Sequence, residues 1–396
     1  IFLDQGVLTV KIIRRSAFPL ALMASAGLGI GACSSNDDAS SSSKVQFTVS
    51  GEVLAYDGYS FPGGDPEFVD GWELHFDRVL TTVDKITLSE NPDKVPTDQS
   101  QTDGVVAELD GPWAVDLHKQ GPLQGKGGGN ETALPLGELT NQNKNGGANF
   151  DATKRYAFGF DVVPASASAQ QVNLDSADVA DYQDMITKGY TTLVVGIATF
   201  KGGTACTSSD PSYDFTQLPK TVKFRFGFTI PTNYTNCQNP DLKGDGFAGE
   251  EHPRGVTILE NQPTVAQLTL HTDHIFWDSV EHDSPLHFDH IAAHFVGLLS
   301  PGGVPTAELS DLAGVSVNSV TDGKNAPLPW RSCVPADTYT LPSGHVTFDT
   351  KGIPTSGDEN TAIQDVSEFI RYNTSTMGHL NSDGLCAVKR QYPSPP

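Results

Sequence analysis

The feature that most constrains this chain is a period-two alternation of apolar and polar residues, repeated in many short runs. A strand with one face on a core needs this pattern, because successive side chains point to opposite sides. Val222-Lys223-Phe224-Arg225-Phe226-Gly227-Phe228 shows it most cleanly, with Val and Phe on one face. Tyr156, Phe158, Phe160 and Val162 repeat it, as do Val45, Phe47 and Val49. Trp72, Leu74 and Phe76 open another strand, Val83, Ile86 and Leu88 mark the next, and a further one covers 262–271. Thr191 to Phe200 is almost continuously apolar, which predicts a central strand buried on both sides.

Gly and Pro, 39 and 26 residues, break these runs with loops such as Gly125–Asn130 and Asn141–Gly147. Many short strands divided by turn residues predict a mainly β fold, an antiparallel β-sandwich with long loops. Two short helices are expected. One runs from Pro285 to Phe295 with Ser284 as N-cap and Pro285 in the first turn, and the other from Ala362 to Tyr372. The sandwich is expected over 45–299. Residues 300–396, punctuated by Pro and Gly, are expected either to pack on it or to form a small appended unit.

Lys11, Arg14 and Arg15 precede an apolar run from Ala17 to Ile30, too short to span a bilayer comfortably. Ile30-Gly31-Ala32-Cys33 follows: an aliphatic residue, two small ones, then Cys. This tetrapeptide resembles the lipobox of bacterial lipoproteins, a resemblance confined to the N-terminal tenth of the chain. It implies a signal peptide over 1–32, lipid on Cys33, and a membrane partner reached through that lipid. Residues 33–44 form a Ser-rich tether with no capacity to pack. The resemblance places the protein in the bacterial cell envelope, and Ser34 after the Cys points to the outer membrane. The plainer alternative is an ordinary signal peptide whose cleavage site happens to hold a Cys.

A formal net charge of −23 repels nucleic acid, so no nucleic-acid partner is expected. Solubility alone accounts for most of that charge. With Cys33 lipidated, Cys206, Cys237, Cys333 and Cys386 remain, an even set fit for two disulfides in an oxidising compartment. No C-x-x-C pair is present. Of three pairings, Cys206–Cys237 and Cys333–Cys386 close the shortest loops and are the expected ones.

Six of the eleven histidines fall between His271 and His294: His271, His274, His282, His287, His290 and His294, interleaved with Asp273, Asp278, Glu281, Asp283 and Asp289. On a helix from Pro285, His287, His290 and His294 would share one stripe. The His290/His294 pair has the i, i+4 spacing with which two imidazoles grip one ion. Neutral imidazole suits zinc and divalent copper, and nearby carboxylates ligate or orient the rings. The sequence therefore predicts a non-catalytic metal-binding lipoprotein with a metal-donor or metal-acceptor protein as partner. Binding should weaken as pH falls through about 6.5, where free imidazole takes its proton. Two alternatives stay open. One is a glycan- or protein-binding adhesion module with structural histidines. The other is a zinc-dependent hydrolase with Glu281 or Asp283 as base, although no H-E-x-x-H is present to support it.

Overall fold

The strand Thr192–Phe200 shows how the layers are built. Val194 and Ala198 face the main core, while Leu193 faces a second cluster with Leu80, Ala114, Tyr182 and Met185. Apolar on both sides, it is covered on both sides. The computed structural model describes residues 43–298, 303–358 and 360–391. The leader, Cys33 and nearly all of the Ser-rich tether lie outside the described residues. The described residues form a single compact unit.

The architecture is mainly β, with two large facing sheets and long loops. The larger sheet runs in the order Thr306–Glu308, Thr221–Phe228, Thr192–Phe200, Trp72–Ser89, Arg155–Val162, Thr232–Thr235, Ala387–Arg390, with short strands added beside this path. The smaller sheet orders Gly384–Leu385, Gly378–Leu380, Pro263–Leu270, Lys44–Ser50, Thr132–Leu139, Leu123–Gln124. Phe47 of the smaller sheet meets Phe158 of the larger at a ring separation of 6.2 Å, so the alternating faces meet across the core. Most pairings are antiparallel. Lys44–Ser50 nevertheless runs parallel to Pro263–Leu270, and Thr221–Phe228 parallel to Thr306–Glu308. Residues beyond 300 add strands to both sheets.

Trp72–Ser89 is one strand of 18 residues, where the alternation suggested two. Its register shifts between Phe76 and Arg78 and again between Asp84 and Thr87, and Lys85 takes φ +44°. Such bulges bend a strand and break its period, so a single strand looks like two in sequence.

Among the described residues there are four α-helices: α1 Glu52–Asp57, α2 Ser176–Lys188, α3 Asp289–Ala293 and α4 Val366–Thr374. Neither α1 nor α2 is expected from the sequence patterns above. The N-cap of α2 is Asp175, whose carboxylate accepts from Ala177 N and Asp178 N while Asp178 returns the bond, and Gly189 closes the helix at φ +70°. The helix covers the outer face of the larger sheet, where Arg225 binds Asp181 and Asp184 at 2.9 and 2.8 Å.

The expected helix Pro285–Phe295 is cut to α3. Leu286 is held in bridges to Phe68 and Trp277, and Ser284 Oγ donates to Glu281 O instead of capping. The helix start is capped from a distance: buried Asp70 accepts from Phe288 N and Asp289 N, both at 2.7 Å. The second helix begins at Val366 and not near Ala362, because Asp365 is its N-cap, accepting from Glu368 N at 2.9 Å.

The disulfides are Cys206–Cys333 and Cys237–Cys386, not the expected Cys206–Cys237 and Cys333–Cys386. Strand pairing overrides loop length here. Thr207 pairs with Ser332, and Thr235 with Ala387, so each bridge staples the end of a strand pair and joins cysteines 127 or 149 residues apart.

Candidate metal centre

The site grows from the end of Pro263–Leu270. Its antiparallel partner is Gly378–Leu380, with Thr269 opposite His379 and His271 N donating to Met377 O at 2.9 Å. His271 is thus a diagonal neighbour of His379 on the same face of the pleat. Their ring centroids are 4.0 Å apart. A Cβ on Gly378 would meet the Tyr234 ring at 2.5 Å, so the strand carrying His379 starts with a residue that has no side chain.

After His271 the chain turns through a 3-10 segment, Thr272–Phe276, which brings His274 back toward the same spot. Its ring lies 5.7 Å from His271 and 5.3 Å from His379, and stacks on Trp277 at 3.7 Å. His282, in the next loop, is 5.8 Å from His274 and 5.5 Å from His379. Asp383 comes from the turn between Gly378–Leu380 and Gly384–Leu385. Asn381 opens that turn at φ +63°, and its side chain bonds Gln267 N, Asn239 and Asp241.

Among the described residues, two groups have ligand atoms within 4.8 Å of one another: His271, His274 and His379, and His282, His379 and Asp383. The chain therefore has histidine and aspartate groups that could hold a metal ion.

Hydrogen bonds fix two of the rings. Thr376 Oγ1 donates to Asn373 O at 2.7 Å, so its contact with His274 Nδ1 at 2.8 Å must be one it accepts. Nδ1 of His274 carries the proton, and Nε2 keeps a lone pair that no hydrogen-bond donor meets. His271 Nε2 lies 2.7 Å from Ser382 O, a pure acceptor, so it too donates and leaves the Nδ1 lone pair available. Backbone and hydroxyl partners of this kind orient imidazoles for ligation.

Burial pushes His274 well below the usual imidazole range, and the neighbouring His379, His271 and His282 add to it. Burial, helped by His271, takes His379 to about 3. Both stay neutral, the form that ligates metal. Burial also opposes charge on His271, but Glu52 and Asp273 outweigh it and hold that ring above its ordinary value. Glu52 Oε1 is 3.4 Å from His271 Nε2, and burial raises this carboxyl to about 7 against the pull of His271.

Of the six histidines named from sequence, the structure brings together His271, His274 and His282. His287, His290 and His294 belong to neither group. His287 precedes α3 and sits between Asp278 Oδ2 at 3.3 Å and Asp70 Oδ2 at 3.8 Å. His290 is buried edge-on to Phe348, and His294, at the C-cap of α3, packs on Phe295. With the helix shortened, their stripe does not form. Neither proposed base lies among the ligand groups. Glu281 is mostly exposed and pairs with Lys351 at 3.1 Å, while Asp283, also exposed, reaches only His282 Nδ1 at 3.3 Å.

His379 and Asp383 escaped the sequence analysis because they lie about a hundred residues away from the dense segment. One signal was present: Asn381-Ser382-Asp383-Gly384 is a hairpin turn sequence, and a hairpin there puts His379 on a strand.

No protein-family model, curated protein or solved structure matches this chain.

Proposed function

We propose that this protein is a lipid-anchored, non-catalytic envelope lipoprotein that binds a divalent transition metal, zinc or divalent copper. The ligands are drawn from His271, His274, His282, His379 and Asp383. One observation carries the reading: four imidazoles and a carboxylate converge while His274 Nε2 and both ring nitrogens of His282 and His379 have no hydrogen-bond partner. A buried polar atom without a partner costs about 1–3 kcal/mol, and an ion at this spot would remove that cost. The set suits zinc and divalent copper, since imidazole and carboxylate are borderline and hard donors and no free thiol lies among them.

The anchor rests on the resemblance of Ile30-Gly31-Ala32-Cys33 to a lipobox. Two disulfides fit an oxidising compartment, and among the described residues no helix is long and apolar enough to cross a membrane. The mechanism is capture and hand-over of the ion at the outer membrane, to or from a partner protein.

Metal analysis of the purified protein, followed by zinc and copper titration, tests the binding. Uptake that His274→Ala abolishes supports it, and absence of uptake of either ion ends it. Fatty-acid labelling that Cys33→Ser removes supports the anchor, and unlabelled wild-type protein ends it.

A zinc-dependent hydrolase is the second reading, favoured by the placement of Glu52 beside His271. Zinc-loaded protein inactive toward ester, amide and phosphoester substrates would exclude it.

A further inference from the structure

The two ligand groups share one ring. His379 belongs both to the group with His271 and His274 and to the group with His282 and Asp383. Its side chain is fully buried, and neither Nδ1 nor Nε2 has a hydrogen-bond partner. A neutral imidazole carries one N–H and one lone pair, and each needs a partner once water is excluded. A single ion would satisfy one nitrogen and leave the other orphaned.

The second group has its own geometric signature. Asp383 Oδ1 lies 3.4 Å from His282 Nε2 and 3.6 Å from His379 Nδ1, outside good hydrogen-bond range. Two donors about 2.1 Å from one tetrahedral ion stand roughly 3.4 Å apart, so these spacings are the edges of a coordination tetrahedron. Asp283 Oδ1 lies 3.3 Å from His282 Nδ1, whereas Asp383 lies beside Nε2. Asp383 lies beside Nδ1 of His379, which would leave Nε2 for the other group.

We propose that the centre is binuclear and bridged by His379. One divalent ion is held by His271, His274 and His379 Nε2, and a second by His282, Asp383 and His379 Nδ1. The inference rests on the metal-binding reading above. On binding both ions, the ring gives its single N–H proton to solvent and donates one lone pair to each metal, becoming an imidazolate. The sites differ in access: His274 and His379 are buried, whereas the side chain of Asp383 is 44% exposed and that of His282 21%. The second ion is the one open to exchange with a partner.

The test is stoichiometry and magnetic coupling in the purified protein, using zinc and copper salts alone. After exhaustive dialysis, elemental analysis should give two zinc ions per chain, and Asp383→Ala, at a half-exposed turn position, should hold one while keeping its circular dichroism spectrum. In copper-loaded wild type, coupling through the bridge should leave the integrated paramagnetic resonance signal well below the total copper. In Asp383→Ala the signal should match the copper bound. One zinc per chain in wild type, or two coppers with full uncoupled signal, overturns the bridge while leaving a mononuclear metal protein. Absence of any uptake removes both this inference and the metal reading.

Discussion

Two regions of this molecule hold the clustered histidines, and they differ in what surrounds each ring. Around His271, His274, His282 and His379, centroid separations run from 4.0 to 5.8 Å, and most of the ring nitrogens lack hydrogen-bond partners. Around α3 each histidine has a private environment. His287 is flanked by Asp70, Asp278 and Tyr339, while His290, whose ring nitrogens are also unpartnered, packs at right angles to Phe348 and belongs to neither ligand group. Density of histidine along the chain does not distinguish the two, because strand pairing, not sequence adjacency, decides which rings meet.

The sharpest way to break this comparison is to remove one ring from each region. His379→Ala should lower zinc affinity by more than about 100-fold, since losing a ligand exceeds the effect of losing an orienting partner. His294→Ala should leave affinity unchanged. Isothermal titration of both variants decides it, and equal losses would erase the distinction.

The disulfides offer a second contrast. Each closes a loop of well over a hundred residues, so removing either as a Cys→Ser pair should cost about 2–5 kcal/mol of stability, read by urea denaturation. Cys237–Cys386 adjoins the hairpin that carries His379 and Asp383, whereas Cys333 accompanies Asp70 and Arg331 near α3. Only loss of Cys237–Cys386 should also weaken metal binding.

A smaller effect is expected from the orienting hydroxyl. Thr376→Val removes the acceptor for His274 Nδ1–H and should reduce zinc affinity about 10- to 100-fold. Asp278→Asn, the comparable change beside His287, should not alter it.

A separate effect is acid sensitivity at His290. Burial, with His287 adding, takes His290 to about 3, below the ordinary value of 6.5. The unfolded chain therefore binds a proton that the folded one refuses. Its stability contribution is present above about 6.5 and is lost as pH falls toward 3, at about 1.4 kcal/mol per pH unit. His290→Leu should flatten the decline in urea stability between pH 6 and 4, and an unchanged slope would contradict the assignment.

Much of the fold was legible because alternation is local. Thr221–Phe228, Arg155–Val162 and Lys44–Ser50 follow directly from their sequences. What was hidden depends on distant partners. Asp70 caps α3 from more than two hundred residues away, which no helix rule applied at Ser284 and Pro285 could reveal. Three of the five candidate ligands were legible for the same reason: His271, His274 and His282 lie in one dense segment, whereas His379 reaches them only through the pairing of Leu268 with Leu380 and Thr269 with His379. The disulfide pairing failed likewise, since the strand register at Thr207–Ser332 sets which sulfurs meet.

Anomalous diffraction from zinc-soaked crystals, recorded on both sides of the zinc edge, tests the central claim most directly. A peak is expected about 2.1 Å from ring nitrogens of His271, His274 and His379. A peak among His287, His290 and His294, or none near any of these rings, would contradict it.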